Sequence, residues 1–178
     1  MKTVRKMIVM AAAMALLWGC GGKAKDTESA QTSGTGFVEG KTGDLLQTEW
    51  FTIRVNRSSL ADSYGELTPR KDGTKLLAVN VTLKNTDDTI LPMYDVDFQT
   101  QWNSDAEDAF ALPVTYTNPE AVQADMLKDS YTVDVGGEVS GDLVFEVPAD
   151  QAPYFLLYQE VYEDEETGRI FVVELNPK

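Results

Sequence analysis

An all-β antiparallel sandwich of seven to nine strands, with one short helix, is the fold class this sequence predicts. Three observations carry the expectation. Several segments of five to ten residues alternate apolar and polar side chains, the period-2 signature of a strand half-buried in an antiparallel sheet. Gly, Pro, Asn and Asp cluster between those segments. The connections over 61–75 and 113–130 are long, as where a chain crosses from one sheet to another, and such uneven loops disfavour an up-and-down barrel.

In Trp50 to Asn56, Phe51, Ile53 and Val55 share one face, and Thr52, Arg54 and Asn56 the other. From Leu76 to Lys84 the alternation is cleaner: Leu77, Val79, Val81 and Leu83 oppose Asn80, Thr82 and Lys84. Met93 to Trp102 sets Val96, Phe98 and Trp102 against Asp95, Asp97, Gln99 and Gln101. Phe110 to Tyr116 is a weaker strand, interrupted by Pro113. Tyr131–Val135 and Val139–Val147 flank Gly136-Gly137, a dipeptide suited to a tight hairpin. In the second of these, Gly141 lies on the face of Val139, Leu143, Phe145 and Val147, which predicts a bulge or close backbone approach. Tyr154–Tyr162 and Arg169–Leu175 form a last hairpin around an acidic tip, Glu163 to Gly168. The helix signal is Asn118 as N-cap, Pro119 at the first position, and Val122 with Met126 four apart, predicting one or two turns over 119–127.

The N-terminus carries a different signal. Lys2, Arg5 and Lys6 precede an apolar run of 12 residues, Met7 to Trp18. That is too short to span a bilayer, which needs about 20 residues, but it suits the core of a secretory signal. The run closes on Leu17-Trp18-Gly19-Cys20. This resembles the bacterial lipobox, with Trp18 where Ala or Ser is usual. The resemblance implies a signal peptide over residues 1–19 and a diacylglyceryl thioether on Cys20, the one cysteine in the chain. Two or three acyl chains anchor firmly where a single one holds marginally. Residues 20–42 are rich in Gly, Ser, Thr, Lys and Glu and read as a lipid-anchored flexible linker. A chain of about 20 such residues has an end-to-end distance of roughly 25 Å. The folded domain is then expected over 43–178, at the outer face of the bacterial cytoplasmic membrane.

Composition excludes whole classes of chemistry. With no histidine, Ser–His–Asp triads, Cys–His dyads and His-bound zinc are ruled out. One cysteine allows no internal disulfide, so the antibody-type sandwich is excluded. The net charge is −14; loss of residues 1–19 leaves 12 cations against 29 acids, or −17. Such a surface repels nucleic acid. The acidic stretches Asp87-Asp88 with Asp95 and Asp97, Asp105 to Asp108, and Glu163 to Glu166 offer oxygens for calcium. None has the EF-hand spacing, and they read as solvated loop tips. There is no Ser-x-x-Lys nucleophile. No enzyme and no cofactor is expected. Trp50 and Trp102 read as packing residues rather than sugar-stacking platforms.

Three stretches then carry a family resemblance: Leu76 to Thr86, Met93 to Phe98, and Val135 to Pro148. They resemble signature segments of the telokin-like, immunoglobulin-like domains of unknown function found in Gram-positive bacterial lipoproteins. The resemblance covers about residues 44–175. It implies an immunoglobulin-like sandwich outside the cytoplasm, and it carries no catalytic residue.

The last hairpin offers a candidate interaction surface. Tyr154, Tyr158 and Tyr162 share one face of their strand; Phe155, Leu157 and Val161 share the other. Both faces are apolar, and a one-residue slip exchanges them. Pairing Tyr162 with Ile170 would bury Phe155, Leu157 and Val161 and present the tyrosines, as suits a residue enriched at interfaces. Pairing Tyr162 with Arg169 would turn the tyrosines inward. The first register is the expectation, since it buries the side chains without hydroxyls. The function expected is a membrane-anchored binding or interaction module with a protein partner in the cell envelope. The alternatives are a calcium- or small-ligand-binding accessory of an envelope complex, and a structural or stress-related envelope protein.

Overall fold

The computed structural model describes residues 36–103, 106, 108–162 and 165–178. The expected signal segment and Cys20 lie outside them. Two sheets face each other. One holds β1 (Phe37–Lys41), β11 (Thr167–Leu175), β10 (Tyr154–Val161), β6 (Phe98–Trp102) and β7 (Phe110–Ala111), in that order. The other holds β2 (Leu45–Gln47), β3 (Phe51–Ala61), β4 (Thr74–Asn85) and β9 (Glu138–Pro148). A small third sheet pairs β5 (Leu91–Tyr94) with β8 (Ser130–Val133). The order β3-β4-β9 matches strands A-B-E of an immunoglobulin sandwich, and β6-β10-β11 matches C-F-G. The chain crosses between sheets from β4 to β6 and from β9 to β10. Of the pairings, β1–β11 is parallel and the rest are antiparallel.

The alternation read in the sequence sets the core. Phe51, Ile53 and Val55 from β3, Leu77, Val79, Val81 and Leu83 from β4, and Leu143, Phe145 and Val147 from β9 point inward. They meet Phe98, Phe171, Val173 and Leu175 of the facing sheet. Full burial of such a side chain contributes about 1.5–3 kcal/mol. Gly141 is the expected close approach. A Cβ there would stand 2.8 Å from Leu127 Cδ2 and 3.0 Å from the Leu127 amide nitrogen. Gly141→Ala is therefore expected to lower stability by about 1–3 kcal/mol through overpacking, read as a lower urea midpoint. An unchanged midpoint would count against this packing.

Four expectations are corrected. Residues 37–41 are not linker: they form β1, whose Val38 packs on the core and whose first residue pairs with Ile170. A chain starting at Gly43 would leave β11 as a bare edge. It is expected to unfold at lower urea than one starting at Gly36, and equal midpoints would contradict a structural role for β1. Gly136-Gly137 makes a turn but no hairpin. Gly136 has φ +69° and the Gly137 amide donates to the Asp134 carbonyl at 2.8 Å, yet β8 pairs with β5 and β9 with β4. The helix starts at the expected Asn118-Pro119 but is shorter than expected. The α-turn α1 spans Val114–Thr117, and Pro119–Ala121 is a single 3-10 turn. The chain then extends, because Met126 must form a bridge to Asp142 of β9. Fourth, Tyr154 and Tyr158 of β10 are buried rather than presented at the surface.

Candidate functional site

The outer face of the four-stranded sheet carries a cleft of about 450 Å³ that the sequence did not point to. A bulge in β3 between Val55 and Arg57 starts it. Bulges re-aim side chains, and this one brings Arg57 opposite Asn80, which is opposite Asp142. Arg57, Asn80 and Asp142 thus form a polar row across three strands. The next row is Ser59, Ala78 and Val144. Ala78 is small, so the sheet is hollow there.

Two connections wall the hollow. Tyr64 and Leu67 close a short loop by exchanging backbone hydrogen bonds of 2.9 Å, around Gly65 at φ +57°. Opposite, the Asp142 amide donates to the Asp125 carbonyl at 2.8 Å and the Leu127 amide to the Asp142 carbonyl at 3.0 Å, which fixes the 123–127 segment to β9. A Cβ on Gly65 would stand 2.9 Å from Gln123 Oε1, so the walls touch. Leu76, Ala78, Val144 and Met126, with Tyr64, Leu67, Val114 and Val122, seat both walls on the sheet.

Asp142 organises the cleft. It is 5% exposed, and a buried carboxylate must be compensated. Tyr64 Oη donates to Oδ2 at 2.9 Å, Asn80 Nδ2 donates to Oδ1, and Arg57 Nη2 reaches Oδ1 at 3.5 Å. Asn56 Nδ2 donates to Asn80 Oδ1 at 2.9 Å, which turns the Asn80 amide nitrogen toward Asp142. Burial, the hydrogen bond to Asp142, and the charges of Asp142 and Asp125 push the Tyr64 phenol up, against a smaller opposing pull from Arg57. Tyr64 is therefore a neutral donor, and the cleft carries negative potential.

The residues singled out in the sequence fall elsewhere. Cys20 is outside the described residues. Tyr154 and Tyr158 are not a surface: they are 1% and 8% exposed and belong to the core. Observed pairing puts Tyr158 opposite Phe171 and Gln159 opposite Ile170. That is three residues from the expected register, an odd slip, so the faces exchange. Tyr158 packs among Phe51, Phe98 and Phe171, with ring centroids 4.9, 5.6 and 6.0 Å away. The Tyr154 hydroxyl donates to the Pro148 carbonyl, so burying it leaves no polar group unmet. A bulge after Gln159 follows, and Tyr162 is 38% exposed, edge-on to Trp50 at 5.5 Å. Trp50 and Trp102 are half-buried against the core.

Among the acidic stretches, Asp95 is buried and accepts from Thr115 Oγ1, and burial holds its carboxyl above the usual range. Asp97 accepts from the Tyr94 amide at 2.9 Å and Asp87 from Thr89 Oγ1 at 2.8 Å. Residues 105, 107, 163 and 164 are outside the described residues. Among the described residues, no group of three or more acidic or cysteine side chains is placed to hold a metal.

The fold and site together define an immunoglobulin-like sandwich with a polar, loop-walled cleft on one sheet. The chain belongs to the DUF4352 family, a domain of unknown function, whose model matches residues 40–167. No curated protein matches it as a relative. Among solved structures it is similar to ycdA of Bacillus subtilis, a candidate lipoprotein, at 20% identity and TM-score 0.56. That match covers 75% of this chain but only 39% of the ycdA chain. The yjhA protein of Bacillus subtilis matches at 16% identity and TM-score 0.51, over 77% and 99% of the two chains. MPT63, a secreted protein of Mycobacterium tuberculosis, matches at 14% and 0.52, over 75% and 95%. At these identities the likeness is one of fold.

Proposed function

We propose that this protein is a lipoprotein exported to the outer face of the bacterial cytoplasmic membrane, anchored through Cys20, whose telokin-like sandwich works as a binding module. The observation that carries the binding role is the Asp142 cleft. It is concave, a few polar groups converge in it, and its two loop walls are seated on the sheet, features that ligand sites share. The anchor is supported by the sole cysteine closing an apolar run behind three cations. The names of ycdA and MPT63, a candidate lipoprotein and a secreted protein, agree with an extracytoplasmic location. Removal of residues 1–19 would leave 16 residues between the lipid and Gly36, a reach of roughly 20–25 Å for a flexible chain. The sandwich would stand clear of the headgroups on that reach. Protease added to intact cells without an outer membrane, or to spheroplasts, should digest the domain. Cys20→Ser should shift the protein out of the membrane fraction or trap an unprocessed precursor. Protection from protease, or mature-sized Cys20→Ser protein still pelleting with membranes, would overturn the proposal.

A further inference from the structure

We infer that the Asp142 cleft is a site for a primary ammonium group on a flexible stem, and that Arg57 is the side chain this group displaces. The inference rests on reading the sandwich as a binding module, but not on the lipid anchor. Arg57, Asp125 and Asp142 are the charged residues lining the cleft. One cation against two carboxylates leaves it net negative, within a chain of net charge −14. Cations are steered toward such a cleft and anions away.

Arg57 is the loosest partner of Asp142. Its Nη2 stands 3.5 Å from Oδ1, against about 2.7–2.9 Å for a strong charge-assisted bond. Its side chain is 68% exposed, and ion pairs that open to water contribute little. Tyr64 and Asn80 hold Asp142 without it. Arg57 can therefore swing out provided another cation takes its place, since a buried carboxylate left uncompensated is costly. An ammonium suits the position better than a second guanidinium. It is a compact point charge with three donors, where the planar fork of Arg57 engages through one nitrogen only. Ala78, Ala124 and Tyr64 also line the cleft, and their apolar surface suits an aliphatic stem. A lysine side chain or a free alkylamine presents this chemistry.

Amide shifts of the ¹⁵N-labelled full-length chain in neutral detergent test the inference. The probes are Nα-acetyl-lysine-N-methylamide, its norleucine counterpart, n-butylammonium and acetate, at equal ionic strength. The lysine probe should shift the amides of Asn80, Asp125 and Asp142 saturably, and norleucine and acetate should not. n-Butylammonium binding as tightly as the lysine probe identifies a free amine as sufficient; weaker binding identifies a peptide-borne lysine; either supports the site. Asp125→Asn, on the exposed rim, should weaken the lysine probe at least five-fold. Arg57→Ala should tighten it several-fold, because the internal competitor is gone. Loss of binding in Arg57→Ala, or norleucine binding equally well, would overturn the inference. So would acetate binding in place of the amines, although that result would leave a binding module intact. No saturable shift with either amine would also overturn it, and the Cys20 fractionation would stand unaffected.

Discussion

Arg169→Ala is expected to destabilise the domain by about 3–5 kcal/mol, the cost of leaving a buried charge without its partner. The partner is Glu160, which is 0% exposed. Its Oε1 accepts from Arg169 Nη2 at 2.8 Å and from the Glu49 amide at 2.8 Å. Oε2 accepts from Arg169 Nε at 3.1 Å and from the Arg169 amide at 3.0 Å. The guanidinium also lies 5.1 Å from the centroid of the Phe171 ring. The hydrogen bond to Glu160 is the main cause that raises the Arg169 pKa further, so the guanidinium stays charged. This cluster ties the turn before β3 to the end of the last hairpin. After the substitution Glu160 keeps only its two backbone donors, which places the expected loss toward the lower end of that range. Urea unfolding measures it, and a loss under 1 kcal/mol would show that the carboxylate reaches water.

Tyr158→Ala is expected to cost a similar amount, about 3–5 kcal/mol, as truncation of a buried aromatic does. The ring fills the space among Phe51, Phe98 and Phe171, and removing it leaves a cavity that three packed aromatics cannot close. Tyr162→Ala, four residues on, should stay within about 1 kcal/mol, as a surface change does. Its main ring contact is with half-buried Trp50. If the two substitutions cost the same, β10 faces the other way.

The contrast between β4 and β10 shows what the sequence could and could not reveal. On β4 Leu77, Val79, Val81 and Leu83 oppose polar neighbours over most of the strand, so there is one way to bury it. On β10 both faces are apolar. Tyr154, Leu156 and Tyr158 fill the core, while Leu157 and Phe155 join Ile170 and Val172 in a second cluster on the outer face. Composition could not choose between them, because a tyrosine is as good a core residue as a phenylalanine once its hydroxyl has an acceptor. The Gly136-Gly137 turn was legible because a turn is local. The partners of its arms were not, because β5 and β4 take them from far along the chain. Strand β1 was missed for the same reason: Phe37-Val38-Glu39-Gly40-Lys41 has little to bury on its own and becomes a strand by pairing with β11. The cleft was least legible. It depends on a side chain that is small, Ala78, on a bulge, and on two loops. One signal for it did lie in the sequence: Gly141-Asp142-Leu143 sets a carboxylate directly before the apolar run Leu143-Val144-Phe145, and a charge there needs partners.

The proposed function requires a folded domain held outside the cell by lipid on Cys20. Intact-mass and peptide mass spectrometry of the protein extracted from membranes tests that most directly. The predicted result is a mature chain whose first residue is Cys20, carrying a diacylglyceryl thioether and losing it together with membrane association in Cys20→Ser. A membrane-extracted chain that still contains residues 1–19, or one with a free Cys20 thiol, would contradict it.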